Sequence, residues 1–149
     1  MSFELLQAIA NRVVPLAFSS GVANLSDADR QFFLAWGYAG ELDNGGHIQF
    51  FLNTMGDYIP ETIVALRELD LPRQADLLHE AAEQVFGNQV PRDIQERNEV
   101  VEQMPDDGKL DELLDSLDDR FYSLGGGHAV YEALFRRYCG GGPNDQLVG

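Results

Sequence analysis

A chain of 149 residues, 44% of them hydrophobic and including nine Phe, five Tyr and one Trp, can bury one core without disulfide or metal staples. Its 25 acids against ten Lys and Arg leave a formal charge of −15, a field that repels nucleic acid and anionic lipid and attracts basic proteins. The single cysteine, Cys139, excludes an internal bridge and fits a reducing compartment.

Phe3 to Phe18 reads as a helix with Leu5, Leu6, Ile9, Val13 and Leu16 at helical spacing and Pro15 bending or ending its last turn. The segment lacks the unbroken apolar stretch of a signal peptide, so no export is implied and the expected location is cytoplasmic. No apolar run approaches the roughly 20 residues of a membrane span. Ser26 supplies an N-cap with Asp27 and Asp29 in the first turn, followed by the aromatic stripe Phe32, Phe33 and Trp36. Asn44-Gly45-Gly46 reads as a tight turn whose two glycines permit positive φ while Asn44 caps the next helix, His47 to Met55, closed by Gly56. Pro60, Pro72 and Pro91 each open a helix: Glu61 to Asp70, Arg73 to Phe86, and one ending about Met104. After the turn Pro105 to Gly108 come Lys109 to Leu124, a loop or hinge at Gly125 to Gly127, and His128 to Tyr138. The fold expected is all-α: a compact single-domain bundle of about seven to eight short helices over residues 1–139, without significant β-sheet. A Gly-rich, disordered tail is expected over 140–149.

The catalytic templates find few of the residues they need. His79-Glu80-Ala81-Ala82-Glu83 has a carboxylate where a zinc-protease helix needs its second imidazole. Asp76 and His79 lack the second pair of a di-iron bundle, and Asp106-Asp107-Gly108 lacks the alternating ligands of a calcium loop. Cys139 has no electropositive setting, and the triple glycine follows a helix and lacks the Lys of a P-loop. No catalytic residue, metal or cofactor is therefore expected, and the chain is read as non-enzymatic.

The feature left over is acidic. Between Asp93 and Asp119 stand eleven acids against Arg97 and Lys109, more than half of the net charge of −15. Glu96, Glu99 and Glu102 recur every three residues on one helix. Asp111, Glu112, Asp115, Asp118 and Asp119 crowd one side of the next, with Asp106 and Asp107 between them. Acids three or four apart stand roughly 4.5 to 6 Å apart along a helix axis, comparable with the ~3.4 Å between phosphates along one DNA strand. These ten carboxylates are the expected partner-binding surface.

Phe33 to Tyr38 and then Glu41 to Asn53, with the pattern Asn44-Gly45-Gly46, Gln49-Phe50-Phe51 and Asn53, resemble a large bacterial family of unknown function named after its DNA-mimic protein member. Gly56-Asp57, Glu61 to Leu66 and Leu117 to Tyr122 are similar to it as well, so the likeness spans Ser26 to Tyr138. The resemblance implies an all-helical fold, a homodimer, and for the name-bearing member an acidic surface that occupies the DNA-binding face of a regulator. Trp36, Asn44, Gly45, Gly46, Gln49, Phe50, Phe51 and Asn53 carry the signature and read as fold-building residues. The expected function is thus an acidic protein-interaction module that docks on a basic partner such as a helix-turn-helix regulator, with no direct contact to nucleic acid or membrane. The alternatives are an immunity- or antitoxin-type inhibitor of a basic toxin or nuclease, and a helical domain with an undetected enzymatic pocket.

Overall fold

The computed structural model describes residues 1–140, so all but the first glycine of the expected tail lies outside the described residues. Within them the helical periodicities become seven α-helices and two short 3-10 helices, and no strand. In chain order these are α1 (Phe3–Ser20), a 3-10 turn (Val22–Asn24), α2 (Asp27–Leu52), a second 3-10 turn (Thr54–Tyr58), α3 (Ile59–Glu68), α4 (Pro72–Phe86), α5 (Ile94–Glu102), α6 (Lys109–Ser123) and α7 (Gly126–Tyr138).

The long α2 is the axle of the molecule, packed against α1, α3, α5, α6 and α7. Its composition explains that place: Phe32, Phe33, Leu34, Ala35, Tyr38, Ala39 and Leu42 are all buried, so it is apolar on more than one side. Ser26 accepts the Asp29 amide and caps its start, as the sequence predicts. Trp36 stacks between Phe32 and Phe3, with ring centroids at 5.6 and 5.5 Å. α4 covers the opposite flank, packing on α3, α5 and α6 through Leu77, Leu78, Ala81, Ala82 and Val85.

Several local expectations change, among them the loop at Gly125 to Gly127, since α7 already begins at Gly126. Pro15 does not end α1, which runs on to Ser20. Pro15 and Asn11, whose carbonyl loses its helical donor, are both exposed, so solvent can take that acceptor. The buried stripe of α1 is Leu6, Ala10, Val13 and Ala17, while Leu5 and Leu16 face outward at 45% and 38% exposure. Pro91 does not open α5; Asp93 does, its carboxylate accepting the Glu96 amide at 3.2 Å. The helix after Gly46 stops at Leu52, and Gly56 lies inside the following 3-10 turn.

The expected break at Asn44 to Gly46 is a kink inside α2. Only Gly46 leaves the helical region, at φ 74° and ψ −169°, while Gly45 stays helical and Asn44 is exposed with no capping bond. The His47 amide just after the kink is met from elsewhere in the chain, by Asp118 of α6.

Candidate functional site

α5 and α6 each turn an apolar side to α2 and α4. On α5, Ile94, Arg97, Asn98 and Val101 face inward, so Glu96, Glu99 and Glu102 fall on the other side and are exposed. On α6, Leu114, Leu117 and Phe121 are buried, and Asp111, Glu112, Asp115 and Asp119 are exposed. Asp106 and Asp107, in the connection between the two helices, are exposed as well, and Asp107 accepts the Lys109 amide at 3.1 Å.

Six of the nine arginines are engaged elsewhere. Arg12 pairs with Asp29, Arg30 with Asp27, Arg67 with Asp76, Arg92 with Glu61, Arg97 with Asp57 and Arg120 with Glu80. Each of these carboxylates lies outside the ten acids of the predicted surface. Among the described residues no Arg or Lys forms an ion pair with any of those ten, and only Asp118 has an ionisable partner, His47. Nine carboxylates are thus presented to solvent without a counter-charge of the chain's own.

Asp118 is the correction to the predicted surface. It is half-buried, and its Oδ1 accepts the His47 amide at 2.9 Å and meets His47 Nδ1 at 2.7 Å. The kink at Gly46 starts a new helical turn, and this carboxylate from α6 caps its His47 amide with the charge a helix start favours. Burial pushes the Asp118 carboxyl up, but the hydrogen bonds from the His47 ring and amide, with the attraction of the imidazole, outweigh it and hold the group below its ordinary value of 3.8. Tyr38, fully buried, has its phenol pushed far up by burial and then by the charge of Asp118. Because the folded-state value is depressed, the stability that this group contributes is present above its ordinary value and disappears as pH falls through the folded value. Asp118→Ala is therefore expected to destabilise the protein more at pH 7 than at pH 3, a narrowing gap that urea denaturation at the two pH values would measure.

A second fastening holds α5. The Arg97 side chain is fully buried; its Nε donates to Phe51 O at 2.7 Å, one terminal nitrogen to Pro91 O and Arg92 O, and the other to Asn53 O at 2.9 Å and Asp57 Oδ1 at 2.7 Å. All five hydrogens of the guanidinium fork thus have acceptors. Asn98 adds a bond to Leu52 O. A third fastening joins α2 to α7, where Asp43 accepts the Gly127 amide at 3.0 Å. The signature residues build these mounts: Phe50 and Phe51 are fully buried, and Gln49 and Asn53 both donate to the Glu41 carboxylate. Sequence reasoning missed Arg97, His47, Asp43 and Asp57. For Arg97 the signal was available, because it sits in register with Ile94 and Val101 on the apolar side of an otherwise acidic helix.

The three imidazoles do not share a carboxylate. His47 meets Asp118, His79 meets Glu83 and His128 meets Glu132, so each imidazole has a different carboxylate partner. Burial pushes the Cys139 thiol up, opposite to an activated thiolate. Among the described residues no group of three or more His, Cys, Asp or Glu could hold a metal ion, and no helix is long and apolar enough to cross a membrane. A groove of about 710 Å³ runs between α2, α3 and α7, lined by Arg30, Leu34, Glu61, Val64, Arg137 and Tyr138 among others, and none of the ten acids lines it.

These observations define a helical protein in which two carboxylate-bearing helices are mounted on one kinked central helix. A family model described as DMP19-like protein matches residues 23–139, and the chain belongs to that family. The match takes in the kink, both acidic helices and α7, and leaves α1 outside. No curated protein and no solved structure gives a significant match.

Proposed function

We propose that this chain is a non-enzymatic interaction module that presents the carboxylates of α5, α6 and their connection to a basic surface, in the manner of a DNA mimic docking on a helix-turn-helix regulator. The family supports a partner that binds DNA. The observation that carries the reading is the distribution of ion pairs: six arginines pair with acids elsewhere, while Glu96, Glu99, Glu102, Asp106, Asp107, Asp111, Glu112, Asp115 and Asp119 stand exposed without cationic partners. Asp115 and Asp119 lie beyond the first turn of α6, where the helix dipole no longer favours them. As like charges four apart they cost roughly 0.2–0.5 kcal/mol. A partner's cations would turn that cost into attraction.

The test is recovery of partners from the source cell at low and high salt. A helix-turn-helix protein is expected at low salt and should be released near 1 M, where the screening length falls to about 3 Å. Adding the chain should strip that protein from DNA. Replacing Asp111, Glu112, Asp115 and Asp119 by Asn or Gln should abolish the competition while leaving thermal stability within about 1 kcal/mol of the parent. Absence of any basic partner at low salt would sink the proposal, and recovery of a toxin or nuclease in place of a regulator would replace it with the inhibitor reading.

A further inference from the structure

The two acidic helices do not rely on each other for their placement. Each packs on α2 and α4, and each is tied by a buried or half-buried charged side chain to one short stretch of α2 and the turn after it. α6 is held at the kink, where Asp118 takes the amide and the imidazole of His47. α5 is held a few residues later, where Arg97 takes the carbonyls of Phe51 and Asn53 and the carboxylate of Asp57. The tie at Asp118 is close-fitting: a Cβ at Gly46 would lie 2.2 Å from its Oδ2.

We infer that Asp118 and Arg97 are positioning residues, which fix the two carboxylate rows relative to each other as one surface of set shape, and that Asp118 is not itself a contact residue of that surface. The inference rests on the proposed docking role for its purpose but not for its geometry. A mobile pair of acidic helices would have to be ordered when a partner binds, with an entropic penalty that reduces affinity, and a preset pair avoids it. The outward acids need only charge and exposure. The positioning acid needs its oxygen at one place.

The experiment is a distance measurement between spin labels on Glu99→Cys and Asp115→Cys in a Cys139→Ser background, by pulsed electron resonance. Both labelled positions are exposed and unpaired. A narrow distribution is expected in this parent. Asp118→Ala should at least double its width or displace its mean. Asp119→Ala removes the same charge without touching His47 and should match the parent. Asp118→Asn, which keeps an oxygen in place, should return most of the way. Should Asp118→Ala not fold, Arg97→Lys, which keeps the charge but loses the planar fork, carries the same expectation of broadening for α5. A broad distribution in the parent, or equal effects of Asp118→Ala and Asp119→Ala, would overturn the inference and leave the docking role untouched. Failure to find a basic partner would remove the docking role while this distance result stood.

Discussion

Replacing Arg97 with methionine is expected to destabilise the protein by about 3–5 kcal/mol, the range seen when one partner of a buried charge pair is removed. The loss has two sources. Phe51 O, Asn53 O, Pro91 O and Arg92 O lose their donor in a site where the guanidinium itself is fully buried. Each acceptor left without a donor costs about 1–3 kcal/mol when water cannot reach it. Asp57 loses its cation too, though a third of its side chain is exposed and water softens that part. Lysine recovers only a share, because three hydrogens on one nitrogen cannot reproduce the planar fork of five. Asp57→Asn should cost less in the Arg97→Met background than in the parent, since the pair is coupled. Urea denaturation of the two single variants and the double variant measures all of this. An Arg97→Met protein within about 1 kcal/mol of the parent would mean that the buried fork is not what holds α5 to α2.

The parts of this molecule that were legible in the sequence are those decided locally. The apolar side of α6 needs only Leu110, Leu114, Leu117 and Phe121 at helical spacing, and the start of α2 needs only Ser26 and the Asp29 amide three residues on. The acidic rows were legible for the same reason: once the leucines take the inner side of a helix, the remaining carboxylates must face out. What escaped depends on contacts that no local window contains. Asp118 meets His47 across 71 residues, Asp43 meets Gly127 across 84, and Arg97 reaches Phe51 across 46. These contacts decided which of the block's acids is withdrawn from the surface, a choice that charge and spacing leave open. The register of α1 escaped in a different way. Leu5 and Leu6 both continue a helical pattern, and only the position of the neighbouring helices selects the stripe through Leu6, Ala10, Val13 and Ala17. At Pro91 two start signals competed two residues apart, and the carboxylate of Asp93, which makes a capping bond, prevailed over a proline that makes none.

The two glycines of the signature should respond unequally to alanine. Gly46→Ala is expected to lose about 3 kcal/mol or more, and Gly45→Ala a smaller amount, about 1–3 kcal/mol. At Gly46 the backbone sits at φ 74° and ψ −169°, a region that is nearly exclusive to glycine and costs other residues on the order of 1–3 kcal/mol. A Cβ there would also lie 2.2 Å from Asp118 Oδ2 and 2.7 Å from its Cγ, so the carboxylate must withdraw from the His47 amide and ring. The strain and the lost cap therefore add. At Gly45 the backbone is helical, but a Cβ would meet the Cβ of Gln49 at 2.8 Å, which can shift only with the backbone, as well as Gln49 Oε1 at 2.1 Å, the far end of a side chain that can swing away. Moving it sacrifices the bond from Gln49 to Glu41, worth about 0.5–1.5 kcal/mol, but Asn53 still holds that carboxylate and alanine regains about 0.8–1.0 kcal/mol of helix propensity. Thermal melts of the two variants decide the matter. If Gly46→Ala melts with the parent, the kink can close into an ordinary helix, and α6 is not fastened to α2 through Asp118.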